Sequence, residues 1–329
     1  MDVRRRILFN MNTGGGGSED GPSDVTGPIN TDNYLTILAL EDGLTASLPE
    51  NACQYCVDGD GNWYDLPADT ATQTINQGQT LSFKSNLTPS GSTGIGTFSI
   101  NKKCNLEGNC MSMLFGDDAV NNNSLNGKND VFRHLFKNCT TIIQVSNAFL
   151  PATTLSDDCY WEMFHGCTSL TTAPELPATD LYAYCYYGMF WRCTSLTTAP
   201  ELPATTLAIY CYSSMFHGCT SLTTAPELPA TILTLGCYSS MFNGCTSLTT
   251  APELPATDLY AYCYRAMFKG CSKLNYIKML ATDNILPNNC LDYWVDGVSS
   301  TGTFVKNPDM TSLSTGISGI PSGWTVVDA

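Results

Sequence analysis

Cysteine is the reactive side chain with the most regular spacing in this sequence. The 329 residues contain sixteen cysteines but only three histidines. Ten cysteines form two series with a 26-residue period: Cys159, Cys185, Cys211, Cys237 and Cys263, and Cys167, Cys193, Cys219, Cys245 and Cys271. This chemistry could be disulfide bonding or nucleophilic attack. A cysteine in every repeat is also typical of a small buried core position, and we favour stacked free thiols.

The histidines do not suggest a composed active site. His165 and His217 occupy equivalent positions of the repeat, so duplication accounts for both, and His134 lies in a degenerate earlier repeat. The sequence contains no GxSxG, HExxH or phosphate-loop motif, and no Cys-His arrangement outside the repeats. Every candidate nucleophile recurs with the repeat, which argues against a single active site. We therefore expect a protein that is not an enzyme and has no cofactor.

Two short motifs could bind metal, but we expect no metal site at either of them. Cys53 and Cys56 form a single CxxC pair, and zinc sites need a second pair at suitable spacing. Asp58, Asp60 and Asn62 match the start of a calcium-binding EF-hand loop. Positions 6 and 12 of that loop lack the required Gly and Glu, so an Asp-Gly hairpin turn is favoured over a calcium site.

The internal repeat determines the predicted architecture. The block CTSLTTAPELPAT occurs four times, starting at Cys167, Cys193, Cys219 and Cys245. A period of 26 lies within the range of leucine-rich repeats, which contain a strand and a helical piece per repeat. The spacing of Leu181, Cys185 and Met189 predicts a short helix, and the residues before Pro200 predict a short strand. A left-handed glycine is expected after each helix, with Arg192 as the exception: Gly166, Gly218, Gly244 and Gly270.

Four segments follow from this pattern. Residues 1–29 are expected to be an N-terminal anchor peptide and Gly-rich linker, and residues 30–103 a small all-β, sandwich-like domain. The strands of this domain are predicted at 34–40, 44–48, 54–57, 72–75, 80–83 and 96–100. Residues 104–297 are expected to form a leucine-rich-repeat solenoid with degenerate first and last turns, built from a short parallel strand and a short helix per 26-residue turn. Residues 298–329 are expected to cap it.

Charge limits the classes of partner. The chain has 15 Lys and Arg against 30 Asp and Glu, a net charge of −15. This balance argues against nucleic acid and anionic membranes, which require clustered cations. No apolar run reaches the ~18 residues of a membrane span, so no membrane insertion is expected.

The N-terminus combines a basic run with a short apolar run. Neither a secretion signal nor a twin-arginine signal fits, because the apolar run has three residues instead of ~7–15. Two interpretations are open: a disordered tail, and a docking peptide that anchors the protein to a larger assembly. The anchor candidates in the second case are Arg4, Arg5, Arg6, Ile7, Leu8 and Phe9.

Several positions of the repeat form rows along the predicted stack. Glu175, Glu201, Glu227 and Glu253 are expected to be a solvated or cation-bridged row, and the tyrosines that follow the first cysteine series a row packed between repeats. Three other positions, represented by Trp161, His165 and Tyr182, change chemistry from repeat to repeat. This suits a ligand-binding surface, although neutral drift of exposed positions is the alternative. The candidate contact residues are Trp161, Tyr187, Trp191, His217, Arg265 and Lys269.

The motif FxGCTSL followed by LPAT, across residues 130–297, resembles the BspA-like leucine-rich-repeat surface proteins of gut bacteria and their phages. The flanking sequences LEDGLT at 40–45 and GTFVKNP at 302–308 resemble the flanks of the same proteins. The resemblance implies a solenoid that binds a surface glycan or protein of a host. It applies both to phage virion proteins and to bacterial adhesins.

We expect a phage virion protein, such as a tail fibre or a head or tail decoration, assembled in the host cytoplasm. The missing export signal favours this class if the chain is full length, and a bacterial cell-surface adhesin is the alternative. A homo-oligomer would suit a fibre, although no coiled-coil heptads support one.

Overall fold

The computed structural model describes residues 30–87, 94–282 and 289–329. Within these ranges the one α-helix, α1, is Ser112–Phe115, and short 3-10 helices span Thr31–Asn33, Gly116–Asn121 and Asn147–Phe149. The strands are β1 Leu35–Ala39, β2 Ala46–Ser47, β3 Cys53–Val57, β4 Tyr64–Leu66, β5 Thr80–Lys84, β6 Ser99–Ile100, β7 Cys104–Gly108, β8 Ile142–Val145, β9 Tyr276–Met279, β10 Thr303–Lys306 and β11 Thr325–Asp328.

The first part of the chain is organised around a six-stranded mixed sheet. Its strand order is β4-β3-β5-β1-β7-β8, and β2 and β6 form a separate two-stranded sheet. Strands predicted at 34–40, 54–57 and 80–83 are confirmed as β1, β3 and β5, whereas the segment 72–75 contributes only an isolated bridge at Ile75. β1 pairs with β7, and β7 pairs in parallel with β8. One sheet therefore continues across the predicted boundary at 103/104 into the repeats.

The segment predicted as a short helix in each repeat is instead a run of turns. In the repeat that begins at Tyr184, every second N–H donates to the carbonyl three residues earlier, for example from Tyr187 to Tyr184. The N–H groups between them donate to the next repeat at 2.7–3.1 Å, in the pairs Tyr184–Ile209, Tyr186–Cys211, Gly188–Ser213, Phe190–Met215 and Arg192–His217. A helix would direct all of these donors to carbonyls four residues back within one segment. Here half of them join neighbouring repeats.

Left-handed backbone at every fourth residue explains why no helix forms. Tyr184, Gly188 and Arg192 have φ of 54°, 57° and 60°. Their equivalents in the next repeat, Tyr210 and Ser214, have φ of 51° and 57°. Such a conformation costs a residue with a Cβ roughly 1–2 kcal/mol, and the bonds between repeats offset that cost. The predicted left-handed glycines are confirmed, with φ of 74–75° at Gly166, Gly218, Gly244 and Gly270, and Arg192 adopts the same conformation.

Residues 130–282 and 289–297, which we call the repeat stack, pack equivalent side chains directly on one another. Tyr160, Tyr186, Tyr212, Tyr238 and Tyr264 are each 1% exposed, with ring centroids 5.7–6.1 Å apart. A second column contains Phe136, Phe164, Phe190, Phe216, Phe242 and Phe268, with centroids 5.6–5.8 Å apart. These two columns and the two cysteine series, called the interior columns below, are buried throughout. The prediction that the tyrosine row packs between repeats is confirmed.

The opposite side of each repeat carries minimal parallel pairing. Isolated bridges join Gln144 to Thr172, Thr172 to Thr198, and Thr198 to Thr224. The bridges are short because each repeat places a proline directly afterwards, which has no N–H to donate. β9, β10 and β11 continue the parallel arrangement as a three-stranded sheet at the C-terminal end. Trp294, which is fully buried, packs on Phe268 at 6.1 Å and ends the phenylalanine column.

Candidate functional site

The cysteine columns are structural features of the interior. All sixteen cysteines are buried and unbridged. Burial raises the pKa of the Cys219 thiol to about 12, so it remains protonated at neutral pH. Its Sγ donates to the carbonyl of Phe190, in the preceding repeat, at 3.1 Å. Cys193, Cys245 and Cys271 make the same contact at 3.0–3.1 Å. Protonated, inaccessible thiols are poor nucleophiles, and this arrangement favours packing over catalysis.

The variable positions of the turns form one continuous surface, which we call the turn face. It consists of the positions of Trp161, Tyr187, Ser213, Ser239 and Arg265, and of His165, Trp191, His217, Asn243 and Lys269. Trp161 and Tyr187 stack with centroids 4.3 Å apart. Trp191 lies between His165 and His217, 4.9 Å from each. The structure thus brings together four candidate contact residues: Trp161, Tyr187, Trp191 and His217.

Ring stacking along the turn face limits what these aromatics can bind. The Arg133 guanidinium lies 4.4 Å from the Trp161 ring, on the side of the preceding repeat. Trp191 is covered by a histidine ring on either side. Both faces of Trp161 and of Trp191 are therefore occupied, whereas sugar stacking requires an open ring face. The tyrosine column cannot stack on sugars either, because its rings are buried.

Arg265 and Lys269 lie apart from the aromatic group. Arg265 occupies the position of Trp161 four repeats later, and its side chain is exposed. Its guanidinium lies 5.8 Å from the ring of Tyr262. Lys269 is 5.2 Å from the Tyr293 ring, and its Nζ lies 3.2 Å from Asp296 Oδ2. The candidate contact residues therefore form two groups at different points along the turn face.

A buried carboxylate beside the aromatic group was missed in the sequence. Glu162 is 8% exposed, and its Oε2 lies 2.6 Å from Lys137 Nζ, 3.3 Å from His134 Nε2 and 3.2 Å from His165 Nδ1. Burial opposes ionisation, but bonds from His134, His165 and Lys137 outweigh it and lower the pKa of Glu162. Aligning Cys139 with Cys167 gives an offset of 28 and sets His134 opposite Glu162. That alignment could have located the cluster.

Charge is segregated between the two sides of the repeat stack. Between residues 138 and 272 the chain has three Lys or Arg residues, Arg192, Arg265 and Lys269, all on the turn side. The segments 184–192, 210–218, 236–244 and 262–270 contain no Asp or Glu. The predicted row Glu175, Glu201, Glu227 and Glu253 is exposed on the other side of the repeats. Glu253 pairs with Lys278 at 2.9 Å.

The two motifs considered for metal binding are parts of the first sheet: Cys53 and Cys56 lie in β3, and the acidic motif lies in the loop that follows it. Asp58, Asp60 and Asn62 lie in the loop between the antiparallel strands β3 and β4, which confirms the hairpin. Asp60 Oδ1 accepts from the Asn62 N–H at 2.9 Å, and Asp58 Oδ1 accepts from the Thr80 N–H at 2.8 Å. No group of three metal-ligating side chains occurs in the parts of the chain that the structure describes.

The anchor candidates Arg4, Arg5, Arg6, Ile7, Leu8 and Phe9 lie outside the described residues. Within residues 30–87, 94–282 and 289–329, no helix is long and apolar enough to cross a bilayer. Comparisons of the chain with protein-family models, with curated proteins and with solved structures found no match. The function is therefore argued from the geometry of the repeats and the turn face.

Proposed function

We propose that this chain is a non-enzymatic structural and adhesion protein of a phage virion, such as a tail fibre or a head or tail decoration. The N-terminal peptide would anchor it to other virion proteins, and the repeats would bind a glycan or protein on the host surface. One observation carries the proposal: a nearly invariant interior supports a turn face whose chemistry changes in every repeat. Such a division suits a scaffold that presents a binding surface.

We also propose that the repeat stack is a leucine-rich-repeat solenoid of the BspA-like type. Hydrogen bonds between equivalent positions, in-register aromatic columns and parallel bridges support this assignment. The turn segments depart from a helical repeat. Each repeat has an isolated parallel bridge where a strand was predicted, and left-handed turns that bond to the next repeat where a helix was predicted.

The unbridged cysteines favour a virion protein assembled in the cytoplasm over a secreted adhesin. Each thiol of a series lies one repeat from the next, so the chain carries reactive thiols at regular intervals of 26 residues. An unfolded chain in an oxidising compartment would be exposed to bridging among sixteen cysteines. Folding in a reducing cytoplasm avoids this hazard.

Peptide mass spectrometry on purified phage particles and on membrane fractions of the producing culture tests the proposal. We expect the chain in particles, and we expect a variant lacking residues 2–12 to fold but to be absent from them. A double variant, Ile7→Asp with Phe9→Asp, provides a less drastic test of the same anchor. Recovery from the bacterial outer membrane, and not from particles, would instead identify a cell-surface adhesin.

A further inference from the structure

The turn-face segments 184–192, 210–218, 236–244 and 262–270 combine exposed cations with an absence of Asp and Glu. The acidic side chains Asp292 and Asp296 lie in the next segment of the stack. Arg192 is exposed and has no carboxylate oxygen within 4.0 Å among the described residues. Arg265 is also exposed and contacts only an aromatic ring through its charge. Lys269 pairs with Asp296, but both side chains remain accessible, at 46% and 37%. In a chain with a net charge of −15, these four segments carry three cations and no acidic residue of their own.

The side chains between these cations are short and polar. After Arg192, the next two repeats place Ser213 and Ser239 at the position of Tyr187. Both serines are buried, at 4% and 8% exposure, and their hydroxyls donate to carbonyls of the following repeat. Asn243 stands where Trp191 stood two repeats earlier. An extended ligand can therefore lie along this part of the face and contact cations at both ends.

We propose that the turn face binds an acidic polysaccharide, whose carboxylate, sulfate or phosphate groups pair with Arg192 at one end and with Arg265 and Lys269 at the other. This proposal rests on the proposed function, because it names the class of surface molecule that the repeats bind. The cations lie along the stack axis over about three repeats, which suits a linear chain with charges at intervals. Arginine pairs well with carboxylate and phosphate groups because it donates two hydrogen bonds at once.

Two features favour a polysaccharide over an acidic protein or a nucleic acid. A protein interface needs an apolar or aromatic centre. Both tryptophan rings of this face are covered on both sides, Trp161 by Arg133 and Tyr187, and Trp191 by two histidines. Nucleic acid binding needs denser cations to displace counterions from phosphates, and the region from 138 to 272 has only three Lys and Arg. Sparse, widely spaced cations with small side chains between them fit a linear polyanion.

Binding of the full chain to polygalacturonate and to dextran sulfate tests the proposal, with uncharged dextran as the reference. We expect binding to a charged polymer that weakens as salt rises, and no binding to dextran. Arg192→Ala with Arg265→Ala should weaken that binding by about tenfold or more, because contacts along one polymer reinforce each other. Lys273→Ala removes an exposed cation from outside the turn face and should change affinity less than about twofold.

The outcomes separate this inference from the wider function. If Lys273→Ala weakens binding to the charged polymer as much as the double variant does, net charge alone explains the effect and the assigned site is overturned. Binding only to poly-L-glutamate or to duplex DNA would overturn the polysaccharide assignment. A third outcome separates the two proposals. The chain would be present in particles and the isolated protein would bind host cells, but it would bind neither polymer and the double variant would still bind cells. In that case this inference fails and the proposed function stands. Absence from both particles and cell surfaces would instead remove the proposed function.

Discussion

The interior columns and the turn face of the same repeats differ in how they tolerate change. Tyr, Phe and the two cysteines recur in every repeat of the interior, fully buried. On the turn face, the position of Trp161 becomes Tyr, Ser, Ser and Arg in the following four repeats. The backbone bonds that join repeats run between N–H and carbonyl groups, so they do not depend on the turn-face side chains. The interior maintains the stack, and the turn face is free to specify a ligand.

High pH should produce the largest effect, because the interior columns are rich in thiols. Burial raises the pKa of all ten thiols of the two cysteine series, to about 12 at Cys219. The unfolded pKa is about 8.5, so the thiols of the unfolded chain ionise first. Stability is intact below that value and falls as pH rises from there toward the folded pKa. Between the two pKa values, each thiol lowers the free energy of unfolding by about 1.4 kcal/mol per pH unit. Ten thiols together lower it by about 14 kcal/mol per pH unit, which is comparable to the stability of a whole domain.

We therefore expect cooperative unfolding between about pH 9 and 10.5 in the presence of reductant, followed by circular dichroism. A thiol reagent should label no cysteine of the folded chain below the transition and all sixteen above it. Replacing Cys193 and Cys219 with Ala removes two of the groups that ionise. The pH midpoint of unfolding should therefore rise, once the change in stability at pH 7 is taken into account. A protein that stays folded at pH 11.5 would show that the interior columns accommodate thiolates. The interior would then tolerate buried charge, contrary to the contrast with the turn face.

Truncating one aromatic in each region tests the contrast at neutral pH. Phe216 is fully buried between Phe190 and Phe242, so Phe216→Ala should lower the free energy of unfolding by about 3–5 kcal/mol. Trp191 lies on the turn face and is partly exposed, so Trp191→Ala should cost less than about 1.5 kcal/mol. Urea denaturation of both variants at pH 7 gives the comparison. Similar costs would mean that the stacked turn-face rings also hold the repeats together.

Sequence periodicity was sufficient for the interior but not for the turns. A 26-residue period placed the cysteine and tyrosine columns correctly, because equivalent residues of stacked repeats meet their own copies. The four-residue spacing of Leu181, Cys185 and Met189 was interpreted as a helix. The left-handed residues Tyr184 and Gly188 have the same spacing, so periodicity could not separate the two conformations.

Long-range pairing set the second limit on prediction. β7 lies between β1 and β8 in the sheet, and its parallel partner β8 begins 34 residues after β7 ends, at Ile142. A boundary at 103/104 followed from the local change in pattern, but strand pairing across it depends on contacts that no local pattern specifies. The Glu162 cluster was missed for a related reason, because the degenerate first repeat has an offset of 28 instead of 26.

The smallest expected effect concerns the backbone conformation that both regions share. Ala266 has φ of 51° at the position where Gly188 stands in an earlier repeat. Glycine removes a left-handed penalty of about 1–2 kcal/mol but adds about 0.4–1 kcal/mol of unfolded-chain entropy. Ala266→Gly should therefore stabilise the protein by about 0.5–1 kcal/mol. The matched change Ala261→Gly, in the same repeat but without positive φ, should destabilise it by a similar amount. If both substitutions destabilise the protein in urea, the turns are held by side-chain packing as well as by their backbone bonds.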